Sequence, residues 1–365
     1  MKKITVRHII LFLLLSFGAH AQQSAKYSYS LGGEVLEGFI LRHHESIGYL
    51  IHGRPTGISL NLLQHTYGNK PWESIFNYPD VAFSLSYYDL KNNAELGKMI
   101  AVSSGMAFHL LGRPPFKSDL QFFLGLGLGY CTNPYDHDTN NMNTLISSTI
   151  SYNGNFKLAY YYHVNRFEFG VGIKGTHFSN GGIKKPNLGL NFVSLDLEMR
   201  YRLTKDEPDY LAIEQKLGID KRIHWGGTFR IGWMEPQQIG AGSMPVYSLA
   251  FLGQKRLSLK SQIDFGVEGF MNKGIAYEVL HGPPIGGEPD YKRIGVLFGH
   301  ELLVNKLAVV THLGFYVYKP YYPNERFYMR VGLNYYFNKH LYASFALKTH
   351  FAVAELFEYG IGYRF

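Results

Sequence analysis

The sequence predicts an all-β fold, a transmembrane antiparallel β-barrel of about 14–16 strands closed as one sheet, with two tandem eight-stranded barrels as the alternative. Three observations predict it. Apolar and polar residues alternate over segments of about ten, the period of a strand with one face in lipid and the other inside. Tyr, Phe and Gly number 28, 26 and 40 among 365 residues, a mix that suits many strands and tight turns. Beyond the first residues no run of about eighteen apolar residues occurs, so membrane-spanning helices are not expected.

The elements follow in order. Met1-Lys2-Lys3 and Arg7 form a basic start, Ile9 to Phe17 an apolar core, and Ala19-His20-Ala21 an A-x-A cleavage site. Residues 1–21 therefore read as an export signal, too short to span a bilayer. Residues 22–203 form a first barrel half, with strands near 27–37, 56–66, 79–90, 97–111, 119–130, 142–162, 166–179 and 191–203. The Asn153-Gly154 pair can split the sixth into a hairpin. Residues 204–222, charged and holding Pro208, read as a linker or short amphipathic helix. Residues 223–365 form a second half of about six to eight strands. Its last strand places Phe357, Tyr359, Ile361, Tyr363 and Phe365 on one face and Glu358, Gly360, Gly362 and Arg364 on the other. That aromatic-Arg-Phe ending resembles the insertion signal of outer-membrane barrels. One such terminal signal favours a single closure.

A faint repeat favours the alternative. Lys174-Gly175-Thr176-His177-Phe178-Ser179 is echoed by Lys348-Thr349-His350-Phe351-Ala352, and Tyr201-Arg202-Leu203 by Tyr363-Arg364-Phe365. In the second copy Ala352 replaces the serine and His350 takes the opposite parity, so that copy is expected to be inactive.

Composition narrows the function. Cys131 is the single cysteine, which excludes an internal disulfide. The formal charge of +8, in an exported chain without a nucleic-acid motif, fits anionic lipid headgroups better than nucleic acid. The expected location is the bacterial outer membrane. No cofactor and no metal site are expected.

The chemistry concentrates at His177-Phe178-Ser179-Asn180. Phe167, Phe169, Val171, Ile173 and Gly175 share the face of His177 and Ser179, so a base and a nucleophile lie on the apolar side of one strand. A serine needs a neighbouring base, and the base needs a third group to fix its tautomer. On the next strand Asn191, Val193, Leu195, Leu197, Met199, Tyr201 and Leu203 form the apolar face, whereas Asp196 and Glu198 point inward. Parity selects Asn191. Asn180 with the amides of Gly181 and Gly182 is the expected oxyanion hole. If the amino-terminus starts on the periplasmic side, the seventh strand ascends and the site faces the outer leaflet, where Lys184 and Lys185 either meet lipid phosphates or form an ordinary solvated loop pair.

His177-Phe178-Ser179-Asn180-Gly181-Gly182-Ile183 through Pro186-Asn187-Leu188-Gly189-Leu190-Asn191 resembles the signature of the lipid A deacylase PagL family, the acyloxyacyl hydrolases, most sharply over 166–203. The resemblance implies an ester hydrolase that removes an acyl chain from the lipid A of lipopolysaccharide, with His177 as base, Ser179 as nucleophile and Asn180 with the following amides as oxyanion hole. The family's third member is a glutamate, where this chain has Asn191. Outer-membrane phospholipase A has a similar H-x-S-N-G stretch with asparagine as third member, so a phospholipase is the alternative in the same class. A non-catalytic porin or structural barrel is the alternative outside it, and a wide lumen lined by Glu168, Lys174, Arg200 and Arg330 would favour it.

Overall fold

The computed structural model describes residues 26–205, 208–212, 218–281, 290–321, 325–351 and 353–365. The export signal expected at 1–21 lies outside them. Sixteen strands run in order: β1 Ser28–Ile40, β2 Thr56–His65, β3 Asp80–Asp89, β4 Lys98–His109, β5 Ser118–Cys131, β6 Ile150–Val164, β7 Phe167–Ser179, β8 Leu190–Arg202, β9 Ile223–Met234, β10 Met244–Arg256, β11 Ser261–Asn272, β12 Lys292–Val304, β13 Leu307–Tyr318, β14 Phe327–Tyr336, β15 Leu341–His350 and β16 Val353–Arg364. They close twice. β1 pairs with β8 along the register Ser30↔Arg202 to Ile40↔Phe192, and β9 pairs with β16 from Glu358↔Gly232 to Arg364↔Gly226. The strand count meets the upper expectation, but the preferred single closure gives way to two antiparallel eight-stranded barrels. The seam is the reason: each first strand finds its partner seven strands later, and each barrel so removes its own edges.

Alternation becomes orientation. On β7, Phe169, Val171 and Ile173 point to the lipid side while Glu168 and Lys174 are buried inside. The sixth strand begins at Ile150 and is unbroken, with Asn153 and Gly154 paired inside it to Phe178 and His177. Residues 142–149 belong instead to a folded loop.

The interiors are filled by ion networks. In the first barrel Lys157 Nζ lies 2.6 Å from Glu198 Oε2 and 3.2 Å from Glu34 Oε1, Lys174 Nζ donates to Glu34 Oε2 at 2.8 Å, and Arg200 Nε to Glu198 Oε1 at 3.0 Å. In the second, Arg330 grips Glu268 at 2.9 and 3.0 Å and Glu358 at 2.6 Å, and Arg230 also reaches Glu268. Low-dielectric burial of charge demands such pairing. Glu168, Lys174, Arg200 and Arg330 are thus 0–5 % exposed, and the gap within the first network is about 20 Å³, the room of a water molecule rather than an ion path. A wide lumen lined by these four side chains together is absent among the described residues.

One end of the first barrel is roofed. Ile47 and Leu50 of the β1–β2 loop, Leu145 and Ile146 of the β5–β6 loop, and Tyr88, Met99, Phe178 and Phe192 from the strands make one buried apolar cluster. That roof supports the segment carrying the site. At the far end, Leu211 donates to Tyr67 O at 2.8 Å and Tyr210 packs on Tyr67 and Tyr78, so residues 208–212 of the connection between barrels, which form no helix, are seated on the first barrel. Among the described residues no helix is long and apolar enough to cross a membrane.

Candidate active site

His177 and Asn191 are direct cross-strand partners at the roofed end of the β7–β8 hairpin. His177 Nδ1 lies 2.7 Å from Asn191 Oδ1. Because an amide oxygen only accepts, this contact places the imidazole proton on Nδ1 and leaves Nε2 with a free lone pair, the tautomer of a base. Asn191 is oriented in turn by His43, which follows β1. His43 Nε2 lies 3.1 Å from Leu188 O, and its Nδ1 lies 3.2 Å from Asn191 Nδ2 and 3.0 Å from Leu41 O; with the proton on Nε2 the ring donates to Leu188 O and accepts from Asn191. His43 is a residue that sequence reasoning missed, because its loop carries no strand parity to place it.

Ser179 ends β7 on the outer parity, yet it is 5 % exposed because the β7–β8 loop folds over it. Its Oγ accepts from Gly181 N at 3.0 Å and from Asn187 Nδ2 at 2.9 Å. Among the described residues no hydrogen bond joins Ser179 to His177. Asn187 is the second missed residue, although it stands inside the P-N-x-G-x-N stretch that was the visible signal.

Asn180 is committed elsewhere. Its Nδ2 reaches Ser147 Oγ, Ser148 Oγ and Lys184 O at 2.8–3.0 Å, its backbone N–H donates to Asn187 Oδ1 at 3.3 Å, and its Oδ1 accepts from Gly182 N at 2.9 Å. Of the three expected oxyanion groups, only the Gly181 amide faces Ser179 Oγ in this structure. Gly181 and Gly182 have φ of +65° and +94°, a left-handed pair that glycine adopts without strain. The loop is stapled to the roof as well: Leu188 N and Gly189 N donate to Thr144 O and Leu145 O.

Lys184 is exposed at the loop tip, while Lys185 is partly buried and its backbone N–H bonds Glu235 of the second barrel at 2.5 Å. Burial pushes the Lys185 ammonium below its usual range, against the opposing pull of Glu278 and Glu235. A group of Glu34, Asp196 and Glu198 lies inside the first barrel, but Lys157, Lys174 and Arg200 already neutralise it, so it has the make-up of an ion network rather than a cation site.

A transmembrane barrel that carries a histidine–asparagine pair near a serine held by two N–H donors has the make-up of an ester hydrolase built on an outer-membrane barrel fold. Residues 56–200 match the family described as lipid A 3-O-deacylase (PagL), and residues 223–365 match the acyloxyacyl hydrolase C-terminal domain. With both barrels matched, the chain belongs to the PagL and acyloxyacyl hydrolase family of ester hydrolases. No curated protein matches the chain. Similar solved structures include Neisserial surface protein A, at 10% identity and TM-score 0.30 over 48% of this chain and 97% of that one. The outer membrane enzyme PagL gives 16% identity and TM-score 0.30 over 46% and 97%. A mutant of the Rh. blastica porin gives 9% identity and TM-score 0.19 over 93% and 100%. Scores this low carry no argument about the site.

Proposed function

We propose that the first barrel removes an acyl chain from lipid A of lipopolysaccharide, in the outer leaflet of the bacterial outer membrane, by a serine mechanism. The observation that carries this reading is the pairing of His177 with Asn191 beside a serine whose Oγ sits between two N–H donors. Rotation of the Ser179 side chain toward His177 Nε2 vacates the oxygen position between Gly181 N and Asn187 Nδ2. The ester carbonyl oxygen then enters it. A serine–base hydrogen bond that forms only with substrate bound is ordinary for such sites.

Ser179 Oγ attacks the carbonyl carbon as His177 Nε2 takes its proton. Negative charge develops on the carbonyl oxygen, where Gly181 N–H and Asn187 Nδ2 donate to it. The bond to the leaving alkoxide breaks, and His177 returns the proton to that oxygen. Water attacks the acyl-serine with His177 again as base, releasing a fatty acid and restoring Ser179. Asn191 holds the ring throughout. Lys184, exposed at the loop tip, is placed to pair with a lipid phosphate; Lys185, more enclosed, adds field at the same edge.

Ser179→Ala and His177→Ala barrels, shown to be folded by heat-modifiable gel mobility, should leave the lipid A mass in cells unchanged. The wild-type chain should lower it by one acyl chain. Deacylation persisting in both folded variants would overturn the reading.

A further inference from the structure

The second barrel lies against the loop that follows the nucleophile. Glu235, just beyond β9, donates its backbone N–H to Gly182 O at 2.8 Å, and its Oε2 accepts from Lys185 N. Its Oε1 accepts from Gly240 N and Gly242 N at 2.9 and 3.3 Å, so the carboxylate is anchored in its own hairpin while it reaches across. Glu235 is 3 % exposed. A carboxylate that bonds backbone amides from two barrels is a rigid clamp, because each charge-assisted bond is short and directional.

Packing adds a second, independent contact. A Cβ built on Gly181 would lie 2.3 Å from the Phe357 ring of β16, and one on Gly182 would lie 2.6 Å from Glu355 O. The glycines therefore admit close approach by the other barrel as well as the positive φ. Tyr152, the cross-strand partner of Ser179, packs on Phe357 with ring centroids 3.9 Å apart and on Phe345 at 5.4 Å. Both the strand beside the nucleophile and the turn after it are thus braced from the same side.

We infer that the second barrel is a positioning scaffold for the first: Glu235 and Phe357 hold the Ser179–Lys185 turn so that the Gly181 amide faces the nucleophile oxygen. This rests on the serine reading of the site. Glu235 is a positioning residue, since it reaches the reacting atoms only through Gly182 and Lys185. It acts on the chemical step rather than on lipid capture, because an amide that faces the oxyanion contributes most in the transition state.

The test uses the full chain with purified lipid A in detergent micelles. Glu235→Ala should lower kcat by about ten- to a hundredfold, the cost of a misplaced catalytic group, with KM within about twofold. It should also slow labelling of Ser179 by a fluorophosphonate. Glu235→Gln, which keeps one acceptor, should fall between Ala and wild type. Phe357→Leu, which shortens the brace while keeping an apolar side chain, should lower kcat in the same sense and serves if Glu235→Ala does not fold. Folded Glu235→Ala and Phe357→Leu variants with unchanged kcat, or with losses confined to KM, would overturn the inference. Ser179→Ala run alongside separates the two failures: if it stays active the serine reading fails, and if it is dead while the Glu235 and Phe357 variants are fully active only the scaffold inference fails.

Discussion

Asn191 shows how one residue couples chemistry to strand geometry. Its side chain meets His177 because the two are cross-strand partners, and its amide nitrogen turns to His43 Nδ1. Asn191→Ala should therefore lower kcat by about ten- to a hundredfold while the barrel stays folded, because the base loses its orienting partner. Steady-state kinetics with a gel-mobility control checks this, and a wild-type kcat in the variant would remove Asn191 from the mechanism. Asn187→Ala should cost about 10²–10³ in kcat with little change in KM, the effect of deleting one oxyanion donor. A loss expressed only in KM would assign Asn187 to lipid binding instead. His177, Ser179 and Asn191 were legible in the sequence because period-two parity carries a side chain's direction through a strand. Asn187, His43 and the commitment of Asn180 were not, since loop conformations follow from distant contacts such as those of Ser147 and Leu188.

Among the elements, the β7–β8 loop and its counterpart β15–β16 tell the history of the repeat. Each hairpin joins the seventh and eighth strands of its barrel. His177 stands three residues after the inward Lys174, whereas His350 stands two after the inward Lys348, and β15 carries a register irregularity at Lys348/Thr349. One residue less turns the histidine to the other face. His350 accordingly lies inside the second barrel, 3.4 Å from Tyr316 Oη and against Glu355, while Ala352 lies outside the described residues. The expectation that His350 faces the opposite way to His177 is met in this geometry. On the catalytic side, Gly181→Ala introduces a Cβ both at φ +65° and into the Phe357 ring. Its kcat should fall about a hundredfold or more with barrel mobility on gels unchanged. Full activity would mean that the turn is not held as tightly as these contacts imply.

For the whole molecule, alternation and aromatic richness made the barrel class legible, but not the number of closures. Closure depends on which strands meet at the seam, and the β1–β8 pairing spans the length of a barrel with no local sequence mark. The repeat was the one sign of it. Two closures predict two stability units, each with its own ion network. Glu198→Ala takes one carboxylate from Lys157 and Arg200, which keep Glu34 and Glu168, and Glu268→Ala takes the carboxylate shared by Arg230 and Arg330, leaving Glu358 to Arg330, each at up to about 3–5 kcal/mol. Unfolding followed by calorimetry in detergent should show Glu268→Ala lowering one transition and Glu198→Ala the other. A single transition shifted equally by both would argue that the barrels unfold as one body. The contacts of Glu235 and Phe357 with the nucleophile loop then couple the two units at the site itself.

The most direct measurement is release of free fatty acid from purified lipopolysaccharide by the purified full chain, read by mass spectrometry of both products. The account predicts one acyl chain lost per lipid A with wild-type protein and none with folded Ser179→Ala or His177→Ala. Equal release by wild type and both variants, or no release by wild type, would contradict it.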